Sequence, residues 1–124
     1  MDIDFNDDSQ VRSLTNTLNA YRPNETDLDT TDLIVISSAL RGLQAALLQK
    51  QSEILKVAAK RDPNDFLPHL RLARLYTIDF ANELLANEHI TSCKALLNEN
   101  EPQYDEYAWE IERLKTIWRD RTNK

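Results

Sequence analysis

Apolar residues recur along residues 31–61 at alternating steps of three and four: Leu33, Ile36, Leu40, Leu43, Leu47, Ile54 and Val57, with Lys50 the one polar member of the series. That spacing is one face of an α-helix. Alternation at period two fails, because Leu47 and Leu48 adjoin and Gln49, Lys50, Gln51 and Ser52 follow. Ala39, Ala45, Ala46, Leu48, Leu55, Ala58 and Ala59 widen the stripe, which suits a helix with two or more neighbours. Thr30 or Thr31 is the expected N-cap, and Asp32 complements the positive helix end. Lys56, Lys60 and Arg61 complement the negative end, and Asp62-Pro63 stops the helix, since the residue before proline is pushed out of the helical region. A helix of about 30 residues is about 45 Å long, more than a compact domain of this size spans. It is therefore expected to bend, to break near Ser37-Ser38 or Gly42, or to bury its surplus in a partner. Gly42 is the only glycine in the chain. Inside a helix it costs about 1 kcal/mol relative to alanine, so a close helix crossing, a bend, or simple tolerance accounts for it. The heptad-like series also admits a coiled-coil dimer, with Lys50 as a disfavoured insertion.

The rest of the chain reads as shorter helices. Ser9 can cap a helix with Val11, Leu14, Leu18 and Tyr21 on one face, ending before Pro23. Residues 22–30 form a polar connection. Asp62-Pro63-Asn64-Asp65 is a turn, with Asp65 as N-cap and Pro68 in the first turn of the next helix. That helix carries Phe66, Leu70, Ala73, Phe80 and Leu84 and is expected to run to about Ala86, with a break over Asn87–Ile90. A short helix over His89–Asn98 follows, and Pro102 opens the last one. Its apolar face is Tyr104, Tyr107, Ala108, Ile111, Leu114 and Trp118, with Glu106, Glu110 and Glu112 early and Arg113, Lys115 and Arg119 late, in the sense of the helix dipole. Trp109 falls off that stripe, so either the stripe is broad or Trp109 faces a partner.

One glycine and four prolines are too few for a turn-rich β or α/β chain. The class is all-α: a four- or five-helix bundle or stacked helical hairpins, with one long helix at about 31–61. A single helical domain is expected over residues 9–124, preceded by a disordered acidic tail over residues 1–8. Net charge is −6, spread unevenly: −6 over residues 1–32, +4 over 33–61, and −2 over each of 62–86 and 87–124. The long helix is thus a basic element in an acidic chain, most simply through complementarity within the molecule. The single Cys93 excludes an internal disulfide and favours a reducing compartment. The N-terminus lacks a basic segment followed by an apolar core, and no unbroken apolar run approaches 18 residues. A cytoplasmic protein with no membrane partner is the expectation.

From Asp62 the chain resembles the start of a tetratricopeptide repeat. DPND precedes a helix in which Leu72, Ala73 and Tyr76 take the family's large–small–aromatic positions. Ala95-Leu96-Leu97 and then Pro102 resemble the close of the second helix. The resemblance covers residues 62–102 and implies antiparallel helices that approach closely at the small residue. Pro63 and Pro102 are 39 residues apart, longer than the repeat of about 34, and the glycine turn between paired helices is missing.

Candidate chemistry is sparse. His89 and Cys93 stand four apart beside Glu88, a spacing that can present two metal ligands, yet a structural site needs four and no second cluster exists. His69 has the same spacing from Asp65, which suits a capping or surface pair. Cys93 reads as a small core residue. One glycine excludes a phosphate-cradling loop, and no HExxH or nucleophile elbow occurs. Catalysis and cofactors are not expected. Basic residues cluster at 50–61 and 113–124, but interleaved acids and the negative total run against nucleic-acid binding. The function the sequence favours is a non-catalytic protein–protein interaction module, an adaptor or assembly subunit. It would bind a protein partner, with a homodimer expected, through Leu33, Ile36, Leu40, Leu43, Leu47, Trp109 and Trp118. The alternative is an acidic inhibitor that covers a basic site on an enzyme or nucleic-acid-binding partner. A catalytic or ligand-binding bundle built on His69, His89 or Cys93 comes third.

Overall fold

The computed structural model describes residues 4, 7–22, 24 and 27–123. The described residues form five helices and no strand: α1 (Asp8–Ala20), α2 (Thr30–Arg61), α3 (Leu67–Ile78), α4 (Glu83–Leu96) and α5 (Tyr104–Thr122). The all-α class stands. The chain divides into two compact units, residues 1–41 and 42–124, with the boundary inside α2.

In the first unit, the cap of α1 is Asp7 and not Ser9. The extended Asp7 backbone directs its carboxylate to the Ser9 amide at 2.9 Å and the Ser9 hydroxyl at 2.7 Å. Those bonds favour the charged form and hold its pKa below the ordinary value. Val11, Leu14 and Leu18 of α1 all stay exposed, and no residue of that helix is buried. At the start of α2 the Asp29 carboxylate accepts the Asp32 amide at 2.9 Å, taking the capping role expected of Thr30 or Thr31. Leu33 and Ile36 are half-buried. Of the acidic tail expected over residues 1–8, only Asp4, Asp7 and Asp8 are described, and Pro23 also lies outside the described residues.

The second unit holds the core. α3 and α4 form a hairpin, and α5 packs against both. Pairs three residues apart on each helix meet in one cluster: Leu70 and Ala73, Ile90 and Cys93, Ile111 and Leu114. Phe66 and Tyr107 close its end edge to face, with ring centroids 4.8 Å apart. A second cluster joins Leu72, Tyr76 and Ala86 to Leu55 of α2 and to Phe80, Leu85 and Trp118. Each fully buried leucine contributes on the order of 2 kcal/mol. Leu72, Ala73 and Tyr76 are all buried in this hairpin.

Three boundaries differ from those the sequence predicts. The helix expected to run from Phe66 to Ala86 ends at Ile78, and the break expected at Asn87–Ile90 lies inside α4. The true turn is Asp79–Asn82. Ala81 sits there at φ 50°, the Asn82 amide donates to the Tyr76 carbonyl at 2.8 Å, and the Asn82 side chain caps α4 through the Leu85 amide. Alanine is among the last residue types to advertise a left-handed turn. Pro102 precedes α5 but does not open it, since the helix begins at Tyr104. The helix α2 runs through Ser37-Ser38 and Gly42 without a break in its helical assignment. Among the described residues, a Cβ on Gly42 would meet nothing within 4 Å.

Candidate interaction surface

Within the second unit, α2 presents two different stripes. Leu55 packs on the second cluster, and Ser52 is fully buried with its hydroxyl satisfied by the Gln49 carbonyl at 2.9 Å. Leu48 and Ala59 fall on the same side and are half-buried. Leu43, Leu47, Ile54 and Val57 lie roughly 140° around the helix from that side, given 3.6 residues per turn. They are 49%, 50%, 60% and 48% exposed. The regular series that the sequence singles out is therefore not the one the bundle covers. The covered side is marked by a buried serine, a residue that a search for apolar positions passes over. Lys50 sits in the exposed series with its ammonium 2.9 Å from Glu53, which lowers the Glu53 pKa. In the first unit, Leu40 of the same series is also exposed, and Leu33 and Ile36 are half-buried.

By length and composition alone, α2 is apolar enough to cross a membrane, and the apolar window that meets the test is not buried; a signal sequence near an N-terminus passes the same test. No unbroken apolar run approaches 18 residues, yet a window that holds up to two charged side chains is still apolar on average.

The two tryptophans have different settings. Trp118 is half-buried and donates from Nε1 to the Thr77 hydroxyl at 2.9 Å, while the Arg121 guanidinium reaches the Thr77 carbonyl at 2.7 Å and lies over the indole at 4.8 Å. That arrangement ties the end of α5 to the end of α3. Trp109 is 65% exposed, with the Arg113 guanidinium 5.8 Å from its ring. It lines an open groove of about 530 Å³ together with Arg74, Asp105, Glu106, Glu110 and Arg113, across which Arg74 and Glu110 stand 3.9 Å apart.

The histidines and the cysteine separate. Cys93 is fully enclosed in the first cluster, and burial, aided by the Glu110 carboxylate, pushes its thiol up to about 11. It is held as the neutral thiol, unsuited to nucleophilic or ligand work. His89 turns instead to His69, with the two Nδ1 atoms 3.1 Å apart. The Tyr76 ring stacks on His89 at 5.7 Å and 9°, and the Lys56 ammonium sits 5.9 Å from the Tyr76 ring centroid. Burial first, then His69 and Lys56, lower the His89 pKa against the opposing pull of Glu88. The Asp65 carboxylate accepts the Leu67 amide at 2.9 Å, but the N-cap of α3 is Phe66, which makes no side-chain cap bond, and not Asp65 as the sequence suggests. Among the described residues no group of three or more His, Cys, Asp or Glu could hold a metal ion. The histidine pair escaped the sequence because it depends on the hairpin turn. A turn at 79–82 brings residues 69 and 89 level, whereas a break at 87–90 does not.

No family model matches this chain, and neither a curated protein nor a solved structure does.

Proposed function

We propose that the chain is a non-catalytic assembly module whose partner is a second copy of itself, bound along the outward stripe of α2. One observation carries the reading: a helix of 32 residues has a single buried residue, Ser52, while Leu40, Leu43 and Leu47 of its heptad series stay exposed. Of the positions flanking that series, Ser37, Ala39, Gln44, Ala46, Gln51 and Ala58 are small or uncharged and only Asp32, Glu53 and Lys60 are charged, so the middle of the stripe lets a second helix approach without charge repulsion. Charge favours an antiparallel partner. Asp27, Asp29 and Asp32 stand at the entry of α2, and Lys56, Lys60 and Arg61 stand at its end, all exposed. Antiparallel pairing sets each acidic entry against a basic end, and it separates the two Lys50 side chains that a parallel, in-register pair would oppose.

Sedimentation velocity of the full chain across the micromolar range tests this. The expected result is a reversible dimer that Leu43→Glu with Leu47→Glu converts to monomer while the helical signal and the unfolding transition of the bundle persist. A chain that stays monomeric at every concentration sinks the reading. If that monomer also co-sediments with phospholipid vesicles, the stripe belongs to lipid and not to a second copy.

A further inference from the structure

We propose that His69 and His89 form an acid-sensitive latch on the α3–α4 hairpin, one that opens when both imidazoles are protonated. The Nδ1···Nδ1 separation of 3.1 Å is a hydrogen bond, so one nitrogen donates and the other must keep its lone pair. At neutral pH two neutral rings satisfy this: one carries its proton on Nδ1, the other on Nε2. A first added proton enters at Nε2 of the donor ring and leaves the bond in place. A second can only enter at the accepting Nδ1. Two N–H groups and two positive charges then face each other at a distance that holds neither, and the rings must part.

The groups acting on His89 come from three helices, and most oppose that second charge. Lys56 from α2 and His69 from α3 disfavour it, Glu88 on α4 favours it, and the Tyr76 ring of α3 lies parallel to the imidazole with centroids 5.7 Å apart. The consequence extends past the pair. Tyr76 belongs to the cluster on which Leu55 of α2 rests, and Lys56 lies over its ring. Parting the histidines removes the stacked support of Tyr76 and loosens the seat of the last turns of α2 on the hairpin.

The direction in pH follows from the depressed His89 value. The folded chain refuses a proton that the unfolded chain accepts near an ordinary pKa of about 6.5. Stability from this source is complete above that value and is lost as pH falls below it. Each refused proton raises the unfolding constant by at most about tenfold per pH unit.

Urea unfolding of the full chain at a series of pH values from neutral to mildly acidic tests the latch, comparing wild type with His89→Phe and His69→Gln. Phenylalanine keeps a ring against Tyr76 and cannot titrate; glutamine keeps a hydrogen-bonding partner and cannot titrate. The wild-type unfolding constant should rise severalfold more across the series than that of His89→Phe, with His69→Gln between them because burial still depresses His89 there. A parallel rise in all three overturns the latch. Should a variant fail to fold, NMR titration of the wild-type imidazole Cε1–H signals decides. Coupled titration, with one histidine displaced well below the ordinary value, supports the proposal. Two independent transitions at the ordinary value overturn it.

Discussion

The helices α2 and α3 are both rich in leucine, yet they meet opposite fates. Seven of the 12 residues of α3 are buried, against one of the 32 residues of α2. Propensity and apolar content do not separate them; neighbours do. α3 stands between two clusters, giving Leu70 and Ala73 to one and Leu72 and Tyr76 to the other. The second half of α2 touches the bundle on one narrow side, through Leu55 and Ser52, and its more regular stripe lies away from that contact. An amphipathic pattern states that a face needs cover. It does not state whether the cover comes from the same chain.

The sharpest way to break the comparison is to truncate one leucine on each helix. Leu72→Ala removes a fully buried side chain and should destabilise the second unit by about 2–5 kcal/mol. Leu43→Ala removes one that is half exposed and should cost about 0.5 kcal/mol or less in the monomer, while weakening self-association. Urea denaturation at a concentration below dimerisation measures both. Equal losses would mean that the α2 stripe is covered within the chain and that the contrast with α3 is false.

A smaller effect tests the turn that gives α3 its two-sided position. The helix class, the extent of α2, the apolar face of α5 and the Leu70–Ala73 part of the α3 face were legible in the sequence, because spacings of three and four leave few other solutions; Phe80 and Leu84, read onto the α3 face, lie outside that helix, and Leu84 is 71% exposed in α4. The turn at Asp79–Asn82 was not, since no glycine or proline marks it and Leu84 and Leu85 continue the apolar pattern past it. The candidate surface was half legible. The heptad leucines are its exposed members, but the covered stripe is marked by Leu55 and a buried serine, a residue that no search for apolar residues selects. The His69–His89 pair was hidden by the same missed turn. Ala81, at φ 50°, holds a conformation that costs a non-glycine residue roughly 1–2 kcal/mol. Ala81→Gly relieves it at the expense of a more flexible unfolded chain, so a net gain of up to about 1 kcal/mol is expected in urea unfolding. A loss instead would show that the alanine methyl is needed to seat the turn, and that α3 is placed by packing and not by the Asn82 bonds.

The smallest effect separates the two stripes of α2 from the side that belongs to neither. Gly42 lies lateral to both the series from Leu43 to Val57 and the covered side at Ser52 and Leu55, and a Cβ there would meet open space. Gly42→Ala should therefore stabilise the helix by as much as about 1 kcal/mol through propensity alone. Circular dichroism should show a higher melting temperature, and the sedimentation behaviour should not change, because position 42 is outside the proposed seam. If the added methyl instead weakens self-association, a second helix crosses at the glycine and not along the leucines. The contrast between a covered and an uncovered stripe would then survive, with the uncovered face moved around the helix by about a third of a turn.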